Sequence, residues 1–301
     1  MEEIIRILNK NYPMRVNRLE LVRDMGSSAY MVFACNQKYF LRVLKPAFLD
    51  TALNAVNIQV FLQKYDFPVP PIILSKENTP YVQDDKDTYI LYEYIEGHES
   101  NPEQDAEEIG GLVGRLHHIM KEYSGELVKH DKQFFIGRCT DILRKKQYPR
   151  VDEFTAYGEV LWECIKDLPR GFCHGDMYSG NIYKTLDGRL FVLDFDTSCE
   201  GFPMYDPTMI CNMTKFSVFD ERNHDRSNKV LSRFLSEYLR CNSISQLEID
   251  SFYYLIAMQH FAIQAARMEI FGFDCIDNAY LDNQLDWLYR WREQCKWNFF
   301  I

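Results

Sequence analysis

Three oxygen-bearing side chains stand at short spacings in the middle of the chain. Asp176 precedes Asn181 by five residues, which gives the pattern D-x-x-x-x-N, and Asp194 follows after the dipeptide Asp187-Gly188. Asp-Gly is a strong signal for a two-residue β-hairpin turn, because such a turn needs positive φ at both central residues. This turn predicts that Asn181 lies directly opposite Asp194, with both side chains on one face of the hairpin.

An amide oxygen and a carboxylate that converge in this way suit Mg²⁺, whose octahedron is usually completed by phosphate oxygens and water. Phosphoryl transfer needs such a site, together with a carboxylate that accepts the proton of the attacking hydroxyl. The spacing predicts a Mg²⁺ site at Asn181 and Asp194, with Asp176 beside it as general base. Taken singly, each residue is more simply a surface or loop-capping residue, but the agreement of the three spacings favours the site.

These motifs resemble a known family. H-G-D-x-x-x-x-N, which ends at Asn181, and the later D-F-D, which begins at Asp194, are similar to motifs of the aminoglycoside phosphotransferase and choline kinase superfamily. Its members phosphorylate small molecules and are relatives of the protein kinases. The resemblance covers most of the chain, roughly residues 19–206, and continues beyond that by helical character only.

The resemblance implies roles for the residues of these motifs. Asp176 would be the catalytic base, and Asn181 and Asp194 would be Mg²⁺ ligands. His174 would brace the catalytic loop, and Asp196 would support a second metal or the loop. In the later Y-D-P segment, Asp206 would tie the catalytic loop down.

The first hundred residues carry weaker motifs of the same family, and these imply an ATP site. M-G-S-S-A-Y resembles an abbreviated phosphate loop, and Y-F-L-R resembles a third-strand motif whose last residue, Arg42, contacts the nucleotide phosphates. Lys45 is the rival for that role. The backbone at Glu93, Tyr94 and Ile95 matches the hinge that meets adenine. The phosphate-loop residues are Gly26, Ser27 and Ser28.

Arg42 presents a departure from the family pattern. Strand alternation puts it on the face of Phe40 and Leu44, where a charge without a partner is costly. The resemblance implies a Glu partner on the next helix, but residues 51–64 contain no Glu and offer Asn54, Asn57 and Gln59 as polar candidates. A neutral amide orients a guanidinium without neutralising it, which leaves room for a weak or altered enzyme.

The pattern of elements predicts a small β-rich lobe followed by a larger helical lobe, and the family resemblance implies that together they form an α+β, bilobal protein-kinase-like fold. Apolar and β-branched runs before residue 96 favour a hairpin on either side of Asn36 and Gln37, a helix over 51–64 and a strand over 88–95. Helical spacing dominates afterwards, over 102–120, 154–166, 216–240, 247–271 and 278–296. We therefore expect a small β-rich nucleotide-binding lobe at 1–96 and a larger, mainly helical catalytic and substrate-binding lobe at 97–301.

Composition narrows the class of protein. The chain has 301 residues, 47% of them hydrophobic and 26% charged, and a net charge of −10, which disfavours a nucleic-acid surface. Nine cysteines without a C-x-x-C pair favour reduced thiols, and no stretch is apolar enough for a membrane span. We expect a cytoplasmic protein that contacts neither membrane nor nucleic acid.

Other candidate groups have open interpretations. His117 and His118 are adjacent on a helix and diverge by about 100°, so ordinary helix residues are favoured over a metal site. His260, Gln264 and Arg267 form a polar stripe on an apolar helix, which either faces solvent or lines the acceptor pocket. Acids near two tryptophans would attract a cationic substrate, although exposed helix positions explain them more simply: Asp274, Asp277, Asp282 and Asp286.

Together these features predict a kinase that uses ATP and Mg²⁺ to phosphorylate a hydroxyl of a small, possibly cationic metabolite or antibiotic. The alternative is a catalytically weak nucleotide-binding protein of the same fold with a structural or regulatory role. The missing Glu motivates this alternative, and the intact Asp176, Asn181 and Asp194 oppose it.

Overall fold

The structure, a computed structural model, describes residues 1–25, 27–45, 49–84 and 87–296. The chain divides into two compact units, and each is assembled from segments that are not consecutive in the sequence. The first contains residues 1–100, 122–127 and 179–198, and the second contains residues 101–121, 128–178 and 199–301. The expected division into functional lobes at residue 96 stays a prediction.

The first unit is built on a five-stranded antiparallel sheet in the order β1-β2-β3-β5-β4. Cys35 and Asn36 have positive φ and form a two-residue turn between β2 and β3, one residue earlier than the expected Asn36-Gln37. The strands are β1 (Val16–Met25), β2 (Ser27–Ala34), β3 (Gln37–Leu44), β4 (Val82–Asp84) and β5 (Asp87–Glu93).

Two helices cover opposite faces of this sheet. Helix α1 (Glu2–Asn11) packs through Ile7 and Leu8 on the face that carries Leu41. Helix α2 (Leu49–Gln63) packs on the other face, against Leu44 and residues of β5. Because side chains alternate along a strand, Arg42 of β3 belongs to the α2 face, as expected from the sequence.

A second, three-stranded sheet of the first unit corrects the predicted hairpin register. Val192 pairs with Ile182, so Leu193, and not Asp194, stands opposite Asn181. The predicted two-residue turn is wrong because Gly188, at φ 86°, closes a longer loop with Thr185 and shifts every pair by one. The strands are β6 (Gly97–Glu99), β9 (Ile182–Thr185) and β10 (Leu190–Val192), in the order β10-β9-β6.

The second unit is mainly helical, which confirms the α+β class. A small sheet in the order β7-β11-β8 is formed by β7 (Val128–Lys129), β8 (Gly171–Cys173) and β11 (Cys199–Gly201). The helices are α3 (Pro102–Met120), α4 (Arg138–Lys145), α5 (Val151–Ile165), α6 (Tyr205–Cys211), α7 (Arg222–Cys241), α8 (Gln246–Asp250), α9 (Phe252–Phe271) and α10 (Asn278–Gln294).

Two predicted helices differ from those observed. The helix expected at 216–240 begins only at Arg222, where Asp220 accepts a hydrogen bond from the Arg222 amide. The helix expected at 247–271 is divided at Ser251 into α8 and α9. Within the described ranges, no helix is both long and apolar enough to cross a membrane. All nine cysteines lie in these ranges and are free thiols.

Helices α3 and α7 approach closely because glycines of α3 face α7. A Cβ at Gly110 would lie 2.0 Å from the carbonyl oxygen of Phe234, and one at Gly114 would lie 2.7 Å from that of Tyr238. Both contacts are with backbone, which cannot swing aside as a flexible side chain does. Gly111 is different, since its added Cβ would meet only the Cβ of Glu237 at 3.7 Å.

We expect Gly110→Ala to lower the free energy of unfolding by about 1–3 kcal/mol or more, because the two helices must separate. Gly111→Ala is the matched control and should be neutral or stabilising by up to about 1 kcal/mol, since alanine favours helix. Urea unfolding of the two variants measures this difference. Equal midpoints would contradict the close helix contact.

Candidate active site

The first unit contains a cavity of about 320 Å³, a volume in the range of small-molecule sites. Most of its wall is apolar, and its polar residues include two arginines, two amide residues and two acids. The lining residues are Val22, Arg23, Ala29, Phe40, Arg42, Gln59, Pro70, Tyr92, Glu93, Tyr94, Ile95, Gly180, Asn181, Tyr183, Leu193 and Asp194. An apolar wall with a few convergent polar groups suits a ligand that is flat at one end and charged at the other.

Arg42 is the buried cation of this cavity. Its side chain is 11% exposed, and its two terminal nitrogens bind the two carboxylate oxygens of Asp196, one of them at 2.8 Å. Burial alone would lower the pKa of Arg42, but the hydrogen bonds and charge of Asp196 outweigh it and raise the pKa above its ordinary value. The guanidinium is therefore permanently charged. Lys45, the rival for this role, is exposed and is not among the lining residues.

Three buried polar atoms of the cavity residues lack a hydrogen-bond partner among the described residues. They are Nε of Arg42, Oε1 of Gln59 and Oδ1 of Asp194. Leaving a buried polar group unpaired costs about 1–3 kcal/mol, so native proteins rarely keep several together without a ligand or water to satisfy them. The set offers one donor for an anion and two acceptors for a cation or a donor group.

Asn181 and Asp194 line this cavity together although they are not paired across the hairpin. Asn181 ends a short 3-10 turn at Ser179–Asn181, and its carbonyl accepts the Leu193 amide at 2.8 Å. Asp194 has left-handed backbone angles, φ 55° and ψ 77°, which end the strand alternation directly after β10. Such a conformation is uncommon for a residue other than glycine and tends to occur at functional sites.

Asp196, expected to support a second metal or the loop, lies on the 3-10 turn Phe195–Thr197. Both of its oxygens are bound by Arg42, and Asp194 is a more distant neighbour of the same guanidinium at 3.8 Å. This pairing was not predicted from the sequence. Its only signal was the absence of Glu from residues 51–64, which shows that the carboxylate must come from elsewhere in the chain.

The other predicted nucleotide-binding residues divide into two groups. Glu93, Tyr94 and Ile95 line the cavity, and the Glu93 amide is already bonded to the Pro71 carbonyl at 2.8 Å. Ser27 and Ser28 pair with the end of β1 and are not among the lining residues. The third residue of the predicted phosphate loop, Gly26, lies outside the described residues.

The predicted catalytic loop belongs to the second unit and is held by a buried carboxylate. Asp206, on α6, accepts hydrogen bonds from the amides of His174 at 2.7 Å and Gly175 at 3.0 Å. Its expected role in tying down this loop is confirmed. His174 is fully buried, and its Nδ1 accepts the Asp176 amide at 3.4 Å. Asp176 is therefore carried on a backbone fixed from two sides.

A chain of side chains, buried except for Lys121 at its outer end, orients Asp206 and was not predicted from the sequence. Lys121 binds Oδ1 of Asn242, so the Asn242 amide nitrogen faces the Tyr238 hydroxyl at 2.9 Å. Tyr238 lies 2.8 Å from Nδ1 of His117, whose Nε2 lies 3.0 Å from Asp206. His117 is thus a positioning residue, and the metal alternative is not needed to explain it.

The polar stripe on α9 is buried, which excludes the solvent interpretation for His260 and Gln264. Gln284 donates its amide nitrogen to the Phe216 carbonyl, so its Oε1 must accept from Nδ1 of His260 at 2.8 Å and from Gln264 at 3.1 Å. His260 therefore carries its proton on Nδ1. Its Nε2, and Oε1 of Gln264, are buried acceptors without a hydrogen-bond partner in the part of the chain that the structure describes.

Comparison with known proteins agrees with this arrangement. A family model described as "Phosphotransferase enzyme family" matches residues 20–292. The chain belongs to this family. The family resemblance expected from the catalytic motifs is confirmed.

Among curated proteins, a homoserine kinase of Rhodospirillum rubrum is 30% identical over 76 residues, a match that covers 25% of this chain and 23% of that kinase. Less than a quarter of the length of this relative is therefore matched.

Two solved structures share the fold over nearly the whole chain. An amicoumacin kinase in complex with AMP-PNP and Ca²⁺ has a TM-score of 0.77 at 14% identity, over 97% of this chain and 93% of that chain. A spectinomycin phosphotransferase in complex with ADP and spectinomycin has a TM-score of 0.67 at 12% identity, over 98% of this chain and 97% of that chain. At these identities the likeness shows the fold.

Burial of His260 gives the protein a pH-dependent stability. Desolvation lowers the pKa of His260 from 6.5 to about 4, so the unfolded chain binds this proton more readily than the folded chain. The contribution of His260 to the free energy of unfolding should be fully present above pH 6.5. It should fall by about 1.4 kcal/mol per pH unit as the pH drops towards 4.

His260→Gln should remove this contribution, whereas His118→Gln, at an exposed position on α3, should retain it. Denaturant unfolding from pH 7.5 to 4.5 provides the comparison. His130, whose pKa burial also lowers to about 4, keeps part of the dependence in both variants. Identical pH profiles for the two variants would contradict a buried neutral His260.

Proposed function

We propose that the protein is a kinase that transfers the γ-phosphate of ATP to a hydroxyl group of a small molecule. The observation that carries the proposal is the cavity of the first unit, where Arg42, Asn181 and Asp194 stand at the edge of an apolar pocket. A nucleotide has the matching chemistry, since its base is flat and largely apolar and its phosphates are anionic. Membership of the phosphotransferase enzyme family supports the same reaction class.

Asn181 and Asp194 fit a divalent cation. Both residues line the cavity. The buried Oδ1 of Asp194 has no hydrogen-bond partner among the described residues, so this oxygen is available to bind a cation. One amide oxygen and one carboxylate leave room for phosphate oxygens and water, which is how Mg²⁺ is usually bound. When bound, the ion neutralises charge on the phosphates.

Arg42 and Asp176 receive the remaining roles. Arg42 presents a permanent charge and an unpartnered Nε to the cavity, so it would hold the phosphates through charge-assisted hydrogen bonds. Asp176 would accept the proton of the acceptor hydroxyl, because its loop is fixed by Asp206 and it precedes Asn181 by five residues. The backbone of Glu93, Tyr94 and Ile95 would meet the base.

We assign the acceptor to the neighbourhood of the buried polar stripe on α9. His260 and Gln264 present two unpartnered acceptor atoms, and the low pKa of His260 keeps the imidazole neutral. Acceptor atoms select ligand groups that carry N–H or O–H donors, so a hydroxylated molecule, with or without an amine, suits them. This favours amino alcohols, sugars and aminoglycosides as the compounds to test.

The alternative of a catalytically weak nucleotide-binding protein loses its main argument. That argument was the missing glutamate partner of Arg42, and Asp196 supplies a carboxylate in its place. Steady ATP consumption that no member of the acceptor panel stimulates, despite tight nucleotide binding, would restore the alternative.

We expect Asp176→Ala to lower kcat by about 10²- to 10⁴-fold while ATP binding is retained, because the variant loses a general base and keeps Arg42, Asn181 and Asp194. Coupled ATPase assays with Mg²⁺ and the acceptor panel give kcat, and calorimetry gives nucleotide affinity. Asp152→Ala, at an exposed position in the first turn of α5, is the matched control. Unchanged turnover in Asp176→Ala would overturn the assignment.

A further inference from the structure

Arg42 depends on a carboxylate that is 154 positions away in the chain. The guanidinium is held by two parallel hydrogen bonds to Asp196, a geometry that fixes both its position and the direction of its plane. A charge at this depth is strongly unfavourable without such a partner. Each oxygen of Asp196 is bound by one guanidinium nitrogen, and the positive charge of that guanidinium opposes the binding of a cation to the same carboxylate.

Helix α2 presents a neutral group where the partner of the cation was expected. Gln59 is 4% exposed, lines the same cavity as Arg42 and has an unpartnered Oε1. An amide at this place contributes a dipole but no charge. The charge balance of Arg42 is therefore set by the turn Phe195–Thr197 and not by the described side chains that α2 presents to the cavity.

The same short turn carries the proposed cation ligand. Asp194 is two residues before Asp196, and Phe195 between them is 1% exposed, so the buried ring anchors both acids. Asp194 Oδ1 lies 3.8 Å from the guanidinium that Asp196 holds. If Asp196 were neutral, Asp194 would be the nearby acid to which Arg42 moves, and the cation ligand would become the partner of the arginine.

We propose that Asp196 is a positioning residue that holds Arg42 for the nucleotide phosphates and keeps it off Asp194, and that it is not itself a metal ligand. This inference rests on the proposed nucleotide site. If Asp196 acts in this way, phosphate binding depends on Asp196 even without a divalent ion. A metal ligand at this position would instead matter only when the ion is present.

The experiment compares ADP and adenosine binding by calorimetry, in EDTA and in excess Mg²⁺. For Asp196→Asn we expect ADP affinity in EDTA to fall about 10- to 100-fold, because charge-assisted hydrogen bonds position the phosphate-binding group. Adenosine, which lacks phosphates, should bind as in the wild type, and this separates mispositioning of Arg42 from loss of the fold. Asp187→Asn, an exposed acid of the β9–β10 loop paired with Arg189, is the matched control.

A second variant tests the charge directly. Gln59→Glu in the Asp196→Asn background offers Arg42 a carboxylate from α2. The double variant should regain at least a third of the change in log Kd for ADP in EDTA that Asp196→Asn causes. No recovery would overturn the claim that Asp196 acts by neutralising Arg42.

The remaining outcomes are distinct. If Asp196→Asn binds ADP normally in EDTA and is weakened only with Mg²⁺, Asp196 is a metal ligand and the inference is wrong while the nucleotide site stands. If the wild type binds neither ADP nor adenosine, the proposed function fails and the inference fails with it.

Discussion

A buried guanidinium that must be neutralised is the constraint on which the cavity of the first unit depends. Arg42 belongs to the face of β3 that packs on α2, where water cannot solvate it, so a carboxylate has to reach it from another part of the chain. Asp196 does so, and this requirement places the turn after β10 at the wall of the cavity. The position of Asp194 follows, because it is two residues from Asp196 and is held by the buried Phe195.

The second unit contains a buried acid whose oxygens must also be satisfied. Asp206 is fully buried, and its partners are two loop amides and His117. Two backbone donors satisfy the carboxylate and at the same time fix the loop that carries Asp176. Asp206 therefore fixes the loop through its backbone, together with the side chain of His174, which accepts the Asp176 amide.

Sequence reasoning reached the residues of this site more reliably than their arrangement. Motif spacing pointed to Asn181 and Asp194, which both line the cavity, and strand alternation placed Arg42 on the correct face, because both patterns involve residues close together in the chain. The hairpin register was wrong by one residue, because Asp-Gly is compatible with two loop lengths and only the closing pair Thr185–Arg189 distinguishes them. The carboxylate partner of Arg42 is 154 positions away in the chain and His117 is 89 positions away from Asp206, and local patterns hold no information about such contacts.

The buried stripe of α9 shows how a backbone group determines the chemistry of side chains. The Phe216 carbonyl only accepts, so Gln284 must turn its amide nitrogen towards it and its oxygen towards α9. That oxygen in turn requires donors from His260 and Gln264, and their remaining atoms are left as acceptors. Every residue type has a backbone carbonyl, so a substitution at 216 that leaves the backbone conformation unchanged would provide the same acceptor. The proposed preference for donor-bearing ligands therefore depends on the loop conformation and on His260, Gln264 and Gln284, and it should survive changes to the Phe216 ring that leave the loop in place.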